Sequence, residues 1–596
     1  MIKILKLILI TFGGLLLLFT SLQSLSVESS IGKPVQPTTQ VLPSPTPLSF
    51  EKLPNIDDLP LRDNPDIYKS DDPGSVVTMY VTVRKGNVSD NTDYTWDEVN
   101  SFTKVFDLKN GIPPIVGKAE AILQIGDENG LLAGELGYGV VVPNATINIR
   151  GYTTSLARQK GYKIELLSDA GTWRGQSTID LNKHPYDRTR VKNKLNFDLL
   201  KQIPNMTSLR TQFVHLYVKD ETTETGDKTF VDYGLFTQIE QPNNIFLKAH
   251  LLDPEGQLYK ATFFEFFRYK DIIRMVDDPL YDATAFSKIF EVKGNNDHSK
   301  LIQMLDDLNN YDLPIEQTFV KYFDSDNYFT WLAYNILVGN VDTQSQNFYL
   351  YSPHNGNKWY FLPWDYDGAF PMQDRAVEHE FIYAPWENGV SNYWGVILTN
   401  RLLRFQKYRQ MLDDKINELR IFLTPERIKN MLDVYKKAVD PYVTRMPDLK
   451  NLGNSLKTRD LDFELMPGEI LTNYDMYLES LKKPMPFYLG TPKVDTDGQL
   501  AFDWDESYDF NGQDITYDFV VGVDPEFKNI VSESKLTNLI DIKIDMLKPG
   551  TYFWRVIATN ASGEFQIPFD NYVDTKSKSY FGIKYLLITP DDEVQE

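Results

Sequence analysis

The chain has 596 residues, 42% hydrophobic and 13% aromatic, enough for about three or four domains with sizeable cores. A formal charge of −22 and a sequence pI of 4.8 argue against a nucleic-acid partner, which needs a basic surface. With no cysteine, disulfides and thiolate metal sites are excluded, and none of the six histidines pair at three- or four-residue spacing, which argues against zinc.

Residues 1–27 open with Lys3 and Lys6 and run into an apolar stretch from Leu7 to Leu22. This predicts a signal peptide or an N-terminal membrane anchor, with Ser24-Leu25-Ser26 the nearest cleavage motif. Residues 28–75 are rich in Pro, Ser and Thr (PVQPTTQVLPSPTP) and read as an extended linker. From Val76 the pattern alternates, predicting strands there, near Ala119–Ile125 and over Tyr138–Ile149. Arg150-Gly151 ends one strand, a polar loop spans Tyr152–Gly161, and Gly161–Leu166 is the next strand. A strand, a small polar loop and a strand bearing lysine is the arrangement kinases use to cover phosphates and pair them with a cation. Lys160 and Lys163 are both candidates for that cation; Lys163 faces away from Tyr162 and Ile164 by alternation.

Asp187–Leu200 reads as a helix, with Arg190 and Asn193 open to either phosphate or solvent, and no glutamate in it to pair a lysine. Strands are expected over Phe213–Val218 and Tyr233–Ile239, closed by Glu240. Beyond Asn243 helices dominate: Asn244–Ala249, Asp297–Asn309, Ile315–Tyr322, Asn327–Leu337, Trp394–Phe422, Pro425–Val443 and one near Leu471–Leu481. The informative stretch is Asn340–Gly368. Gly339 ends a helix, a loop carries Asp342 and Asn347, and an aromatic hairpin turns at Asn355-Gly356. The second strand then runs into Pro363-Trp364-Asp365-Tyr366-Asp367-Gly368. In kinases a catalytic-loop Asp accepts the substrate proton, an Asn five residues on holds a metal ion, and a hairpin delivers a second Asp to that metal. Asp342, Asn347 and Asp365 match in type and order. Asp367 is a further metal candidate, two residues along what reads as an extended segment. The aromatic stretch Pro371–Tyr393 reads as a packed lid. Residues 485–590 change to strands; Trp504, Tyr552 and the run Leu547–Ala558 look like a fibronectin type III domain.

Residues 76–484 resemble the CotH (spore coat protein H) kinase family, through INIRGYTTSLARQKGYKIEL, DRTRVKNKLNFDLL, YGLFTQIEQPNNIFL, GNVDTQSQNFYLY and FLPWDYDGAF. The resemblance implies an α+β, atypical protein-kinase-like two-lobed fold, strand-rich to about residue 243 and helical after, followed here by the all-β sandwich. It implies ATP with Mg²⁺ or Mn²⁺, with Asp342 and Lys160 catalytic, Arg150, Lys160, Lys163 and Glu240 near the nucleotide, and Asn347, Asp365 and Asp367 holding metal. Family spacing favours Lys160 over Lys163, while Thr153-Thr154 depart from the family's polar run after Arg-Gly. Glu240 reads equally as an ordinary strand-end carboxylate. The expected function is phosphate transfer to Ser, Thr or Tyr of an envelope or spore-coat protein, outside the cell. The alternative is a non-catalytic surface scaffold on the same fold.

Overall fold

A computed structural model describes residues 57, 60–105, 116–225, 228–371, 383–452, 456–591 and 593–595. The expected signal or anchor segment and most of the Pro-rich stretch lie outside these, as does part of the expected lid. No helix among the described residues is long and apolar enough to cross a membrane. The fold is α+β, in two compact units: one is Leu61–Lys482, the other includes Lys483–Glu596.

The first unit begins earlier than the linker pattern suggests. Leu61 is buried, and the Asp63 carboxylate accepts from the Tyr68 hydroxyl at 2.7 Å and the Ser208 backbone N–H at 3.2 Å. A segment whose polar groups find internal partners packs, whatever its composition.

Eight strands follow: β1 Val76–Arg84, β2 Ala119–Asp127, β3 Gly130–Leu131, β4 Ala145–Arg150, β5 Gly161–Leu166, β6 Thr178–Asn182, β7 Thr211–Asp220 and β8 Val231–Glu240. Their order is β1-β7-β8-β6-β5-β4-β2-β3, and β1 also pairs with β2. Seven strands therefore close into a ring, with β1 parallel to β7 (Val76↔Phe213) and antiparallel to β2 (Thr78↔Gly126). The interior is filled by alternate apolar residues, among them Val81, Leu123, Ile147, Ile164, Ile179 and Val214, all fully buried. Each such side chain contributes about 1.5–3 kcal/mol by leaving water. The strand expected over Tyr138–Ile149 is shorter, because Gly137 and Gly139 take positive φ and turn the chain before Ala145.

A second sheet of four strands, ordered β10-β9-β11-β12, comprises β9 Gln257–Ala261, β10 Phe290–Val292, β11 Phe348–Ser352 and β12 Tyr360–Pro363. Beside it runs the helix Ser325–Val338, buried at every position from Asn327 on. A helix apolar all round belongs inside a domain. Asp324 caps its start, accepting from the Asn327 N–H at 2.8 Å, and Gly339 ends it at φ 65°. The helix Gln406–Phe422 packs against it, Tyr408 stacking on Phe329 at 6.2 Å.

Three helices depart from expectation by more than two residues. Lys192–Leu200 starts five residues late because Arg190 adopts φ 64° and Asp187 accepts the Lys192 N–H at 3.0 Å. Trp394–Phe422 is two helices, Ile397–Leu403 and Gln406–Phe422. The last helix runs Leu456–Ser480, through Pro467, because Phe463, Met466, Ile470 and Tyr477 bury one stripe and tertiary packing outweighs the proline.

In the other unit, the sheet Lys493–Val494, Leu500–Asp503, Asp541–Ile544 shares one core with a six-stranded sheet built on Ile515–Gly522 and Gly550–Asn560. Phe502, Trp504, Phe519 and Trp554 fill that core. Tyr552 donates its hydroxyl to the Lys548 carbonyl at 2.9 Å, tying a strand back onto the turn before it.

Candidate functional site

The site is built where the helix Ser325–Val338 hands the chain to the second sheet. Gly339 has no room for a side chain: a Cβ there would lie 2.8 Å from Asn473 Nδ2 and 3.0 Å from Pro371 Cδ. The chain then makes a short turn over Val341–Thr343. Thr343 donates to the Asn340 carbonyl at 2.7 Å, the Tyr393 hydroxyl lies 2.9 Å from the Thr343 hydroxyl, and Asn392 donates to the Val341 carbonyl at 3.0 Å. The loop carrying Asp342 is thus held from both sides by backbone-directed bonds.

Asp342 accepts from Asn347 Nδ2 at 2.7 Å and from the Gln346 amide. Burial raises its carboxyl to about 7; the Gln346 bond opposes this, and Asp365, Asp367 and Glu387 add to it. Asn347, with its amide nitrogen committed to Asp342, keeps its amide oxygen for another partner.

The hairpin β11–β12, in register Phe348↔Pro363 and Tyr349↔Leu362, delivers the acidic loop. Its aromatics anchor it. The Trp364 ring meets Tyr349 edge-on at 5.3 Å, and Tyr366, fully buried, meets Phe197 and Tyr334 at 5.7 Å each. Asp365 and Asp367 do share a side, but not through an extended pleat. Asp365 sits at φ 55° and Asp367 in a turn, so the two carboxylates converge by curling of the chain. Asn347 also takes positive φ, at 58°. Two non-glycine residues in the left-handed region, both in one site, mark backbone geometry kept at a cost of about 1–3 kcal/mol each.

Three residues that sequence reasoning did not assign hold this loop. Asn193 accepts the Tyr366 N–H at 2.7 Å and turns its amide nitrogen toward Asp365 at 3.5 Å. His184 Nδ1 lies 3.4 Å from Asp367 and 3.3 Å from Asn193 Nδ2. Lys192 donates to the Phe370 carbonyl at 3.2 Å. Burial opposes the Asp367 charge, but His184 and Lys192 hold its carboxyl below the usual range. Burial and then Asp367 raise Asp365 to about 6, against the pull of His184, Lys260 and Arg150. The signal in the sequence was the polar run DRTRVKN inside an apolar helix pattern, where Asn193 is wholly buried.

Asp342 thus bonds Asn347, and the charges of Asp365 and Asp367 on the following loop bear on it. Among the described residues no three His, Asp or Glu side chains converge at metal-ligand spacing. Asp365, Asp367 and Asn347 offer carboxylate and amide oxygens. Such hard oxygen donors suit Mg²⁺ or Mn²⁺, which complete their shell with water and phosphate.

The strand residues are placed differently. Arg150 pairs with the fully buried Asp180 at 3.4 Å and also reaches Asp365 electrostatically. Lys160 donates to the Ser155 carbonyl, and burial lowers its ammonium. Lys163 is bonded to Glu165 at 2.6 Å, which Lys118 also holds at 2.6 Å. Glu240 lies in a buried chain of ion pairs. It accepts from the Arg210 guanidinium, from the Arg210 N–H at 3.1 Å and from His250 at 3.0 Å, while His250 also meets Asp63 at 2.6 Å. Burial alone would raise Glu240, but His250 and Arg210 hold it down to about 2. Arg190 does not face solvent; it is buried and donates to the Lys183 and His184 carbonyls.

These residues fall within a stretch that a family model matches. Residues 147–465, more than half the chain, match the family described as CotH kinase protein, and the chain belongs to that family. It is 24% identical over 321 residues to the inner spore coat protein H of Bacillus subtilis (strain 168), covering 50% of this chain and 83% of that protein. It is 23% identical over 274 residues to the invasin CotH3 of Rhizopus delemar, covering 41% of each.

Proposed function

We propose that this chain is an atypical protein kinase of the cell or spore surface, transferring the γ-phosphate of ATP to a Ser, Thr or Tyr hydroxyl of a coat or envelope protein. The observation that supports this is that one loop–hairpin–loop frame carries Asp342, Asn347, Asp365 and Asp367, with Asp342 bonded to Asn347 and felt electrostatically by both other carboxylates. Membership in the CotH kinase family and the coat and invasin names of its relatives support the setting. Bound Mg²⁺ or Mn²⁺ would neutralise phosphate charge, and Asn347, Asp365 and Asp367 are the residues to hold it. Asp342 orients the acceptor hydroxyl and takes its proton as the oxygen bonds to the γ-phosphorus and the bond to ADP breaks. Asn347 and Gln346 fix the Asp342 carboxylate for that role. Arg150 adds positive charge beside Asp365. Export by residues 1–27, and a spacing or binding role for a fibronectin type III-like domain over 485–590, complete the proposal.

The test is transfer of labelled phosphate from ATP, with Mg²⁺ or Mn²⁺, to a generic acceptor and to the chain itself, beside Asp365→Ala. Metal-dependent label lost in the variant is the expected result. No label and no metal-dependent ATP binding would leave a surface scaffold instead.

A further inference from the structure

On the kinase reading, the nucleotide's phosphate chain needs a cation beside an acidic loop, and the two lysines flanking the polar loop make their bonds within the barrel. Lys163 is bonded to Glu165, and Lys160 braces the Ser155 carbonyl. A different lysine stands at the acidic loop itself. β9 lies between β10 and β11, and Lys260 sits opposite Glu291 on one side and Tyr349 on the other. Directly paired residues project from the same face, so Glu291, Lys260 and Tyr349 form a row across the sheet. The Lys260 ammonium is 3.1 Å from Glu291 and 5.8 Å from the centre of the Trp364 ring, the residue that leads into Asp365.

We propose that Lys260, oriented by Glu291, is the lysine that binds the phosphate chain of the nucleotide. This rests on the kinase reading and moves the phosphate cation from the barrel to the second sheet. Neutralising Glu291 does not require Lys260, because Lys293 already pairs with that carboxylate at 2.8 Å. One contact to Glu291 leaves other ammonium N–H donors for phosphate oxygens, and the side chain is 26% exposed, so it is reachable. Lys260 and Arg150 are also the lysine and arginine whose charges bear on Asp365. In kinases a Lys–Glu ion pair prepares the phosphate-binding ammonium, with the Glu on a helix. Here two adjacent strands build the equivalent pair, which accounts for the missing glutamate in Lys192–Leu200.

The experiment is calorimetric titration of the full chain with adenylyl imidodiphosphate and Mg²⁺, independent of turnover. Lys260→Met should weaken binding about tenfold to a hundredfold, the range for losing charge-assisted hydrogen bonds, and more than Lys160→Met or Lys163→Met does. Lys260→Gln takes its place if the methionine variant does not fold, each variant being checked by its melting temperature. Unchanged binding in the Lys260 variant, or a larger loss in either of the other two, overturns the assignment. If the unsubstituted chain binds no nucleotide, the kinase reading fails and this inference with it.

Discussion

Replacing Glu240 by Gln tests whether that carboxylate serves the fold or a nucleotide. Glu240 is 2% exposed and joins Arg210 to His250, which in turn holds Asp63. Removing one partner of a buried ion pair costs about 3–5 kcal/mol, because the remaining charges stay buried. In a unit of about 420 residues, Leu61–Lys482, unfolding entropy near about 0.9 kcal/mol per degree turns that into a fall in Tm of about 3–6 °C. The pH dependence has a definite sign. Burial would lower His250, but Asp63 and Glu240 raise it overall, so its contribution is complete below its unfolded value of about 6.5 and is lost as pH rises through the raised folded value. Glu240, held down to about 2, contributes fully above its unfolded value of about 4.5 and loses that contribution as pH falls toward about 2. The unit should be most stable between these limits. In Glu240→Gln that alkaline decline should be smaller and end nearer to neutral pH, since His250 keeps only Asp63. Scanning calorimetry from about pH 2 to about pH 9, the range these groups span, reads both limbs. A Tm within about a degree of the original, with an unmoved pH profile, would refute the structural assignment and return Glu240 to the nucleotide.

Three further outcomes follow from the packing. Asn392→Ala leaves the half-buried Val341 carbonyl without its 3.0 Å donor and loosens the Asp342 loop; phosphate transfer should fall about tenfold in kcat with little change in nucleotide affinity by titration. Gly339→Ala forces a side chain into the left-handed region against Asn473 and Pro371, and should cost about 1–2 kcal/mol or more in a denaturant titration. Trp554→Ala empties the centre of the C-terminal core, wholly buried between Phe502 and Phe519, and should cost about 3–5 kcal/mol, read as an earlier transition in full-chain calorimetry.

Local chemistry was the legible part. Gly339 as helix end and the alternating aromatics fixed the order of helix, loop and hairpin that carries Asp342, Asn347 and Asp365, because each depends on neighbours within a few residues; the hairpin turn itself is centred on His354 and Asn355, one residue before the Asn-Gly pair. The helix Pro425–Val443 was readable to the residue for the same reason: Thr424 and Pro425 mark its start. What stayed hidden depends on partners far along the chain. Glu240 looks like any strand-end acid until Asp63 and Arg210 are seen beside it. Asn193 and His184 become loop supports only when the hairpin folds against them. Lys260 sits in a short strand with no motif, and its neighbours come from Glu291 and Trp364. Asp367 was grouped with Asp365 for the wrong reason, since positive φ cannot be read from an Asp-x-Asp pattern.

The pairing of β1 with β7 also governs how this chain comes into being. Val76 finds its partner Phe213 about 140 residues later, so on a ribosome adding about 5–20 residues per second the first strand waits on the order of ten seconds for its neighbour. The ring cannot close by local steps, and contacts of such long sequence separation make for slow folding. Until β7 emerges, β1 (Val76–Arg84) is an alternating apolar strand with one open flank, the stage at which the nascent protein is most open to misassembly or to a chaperone.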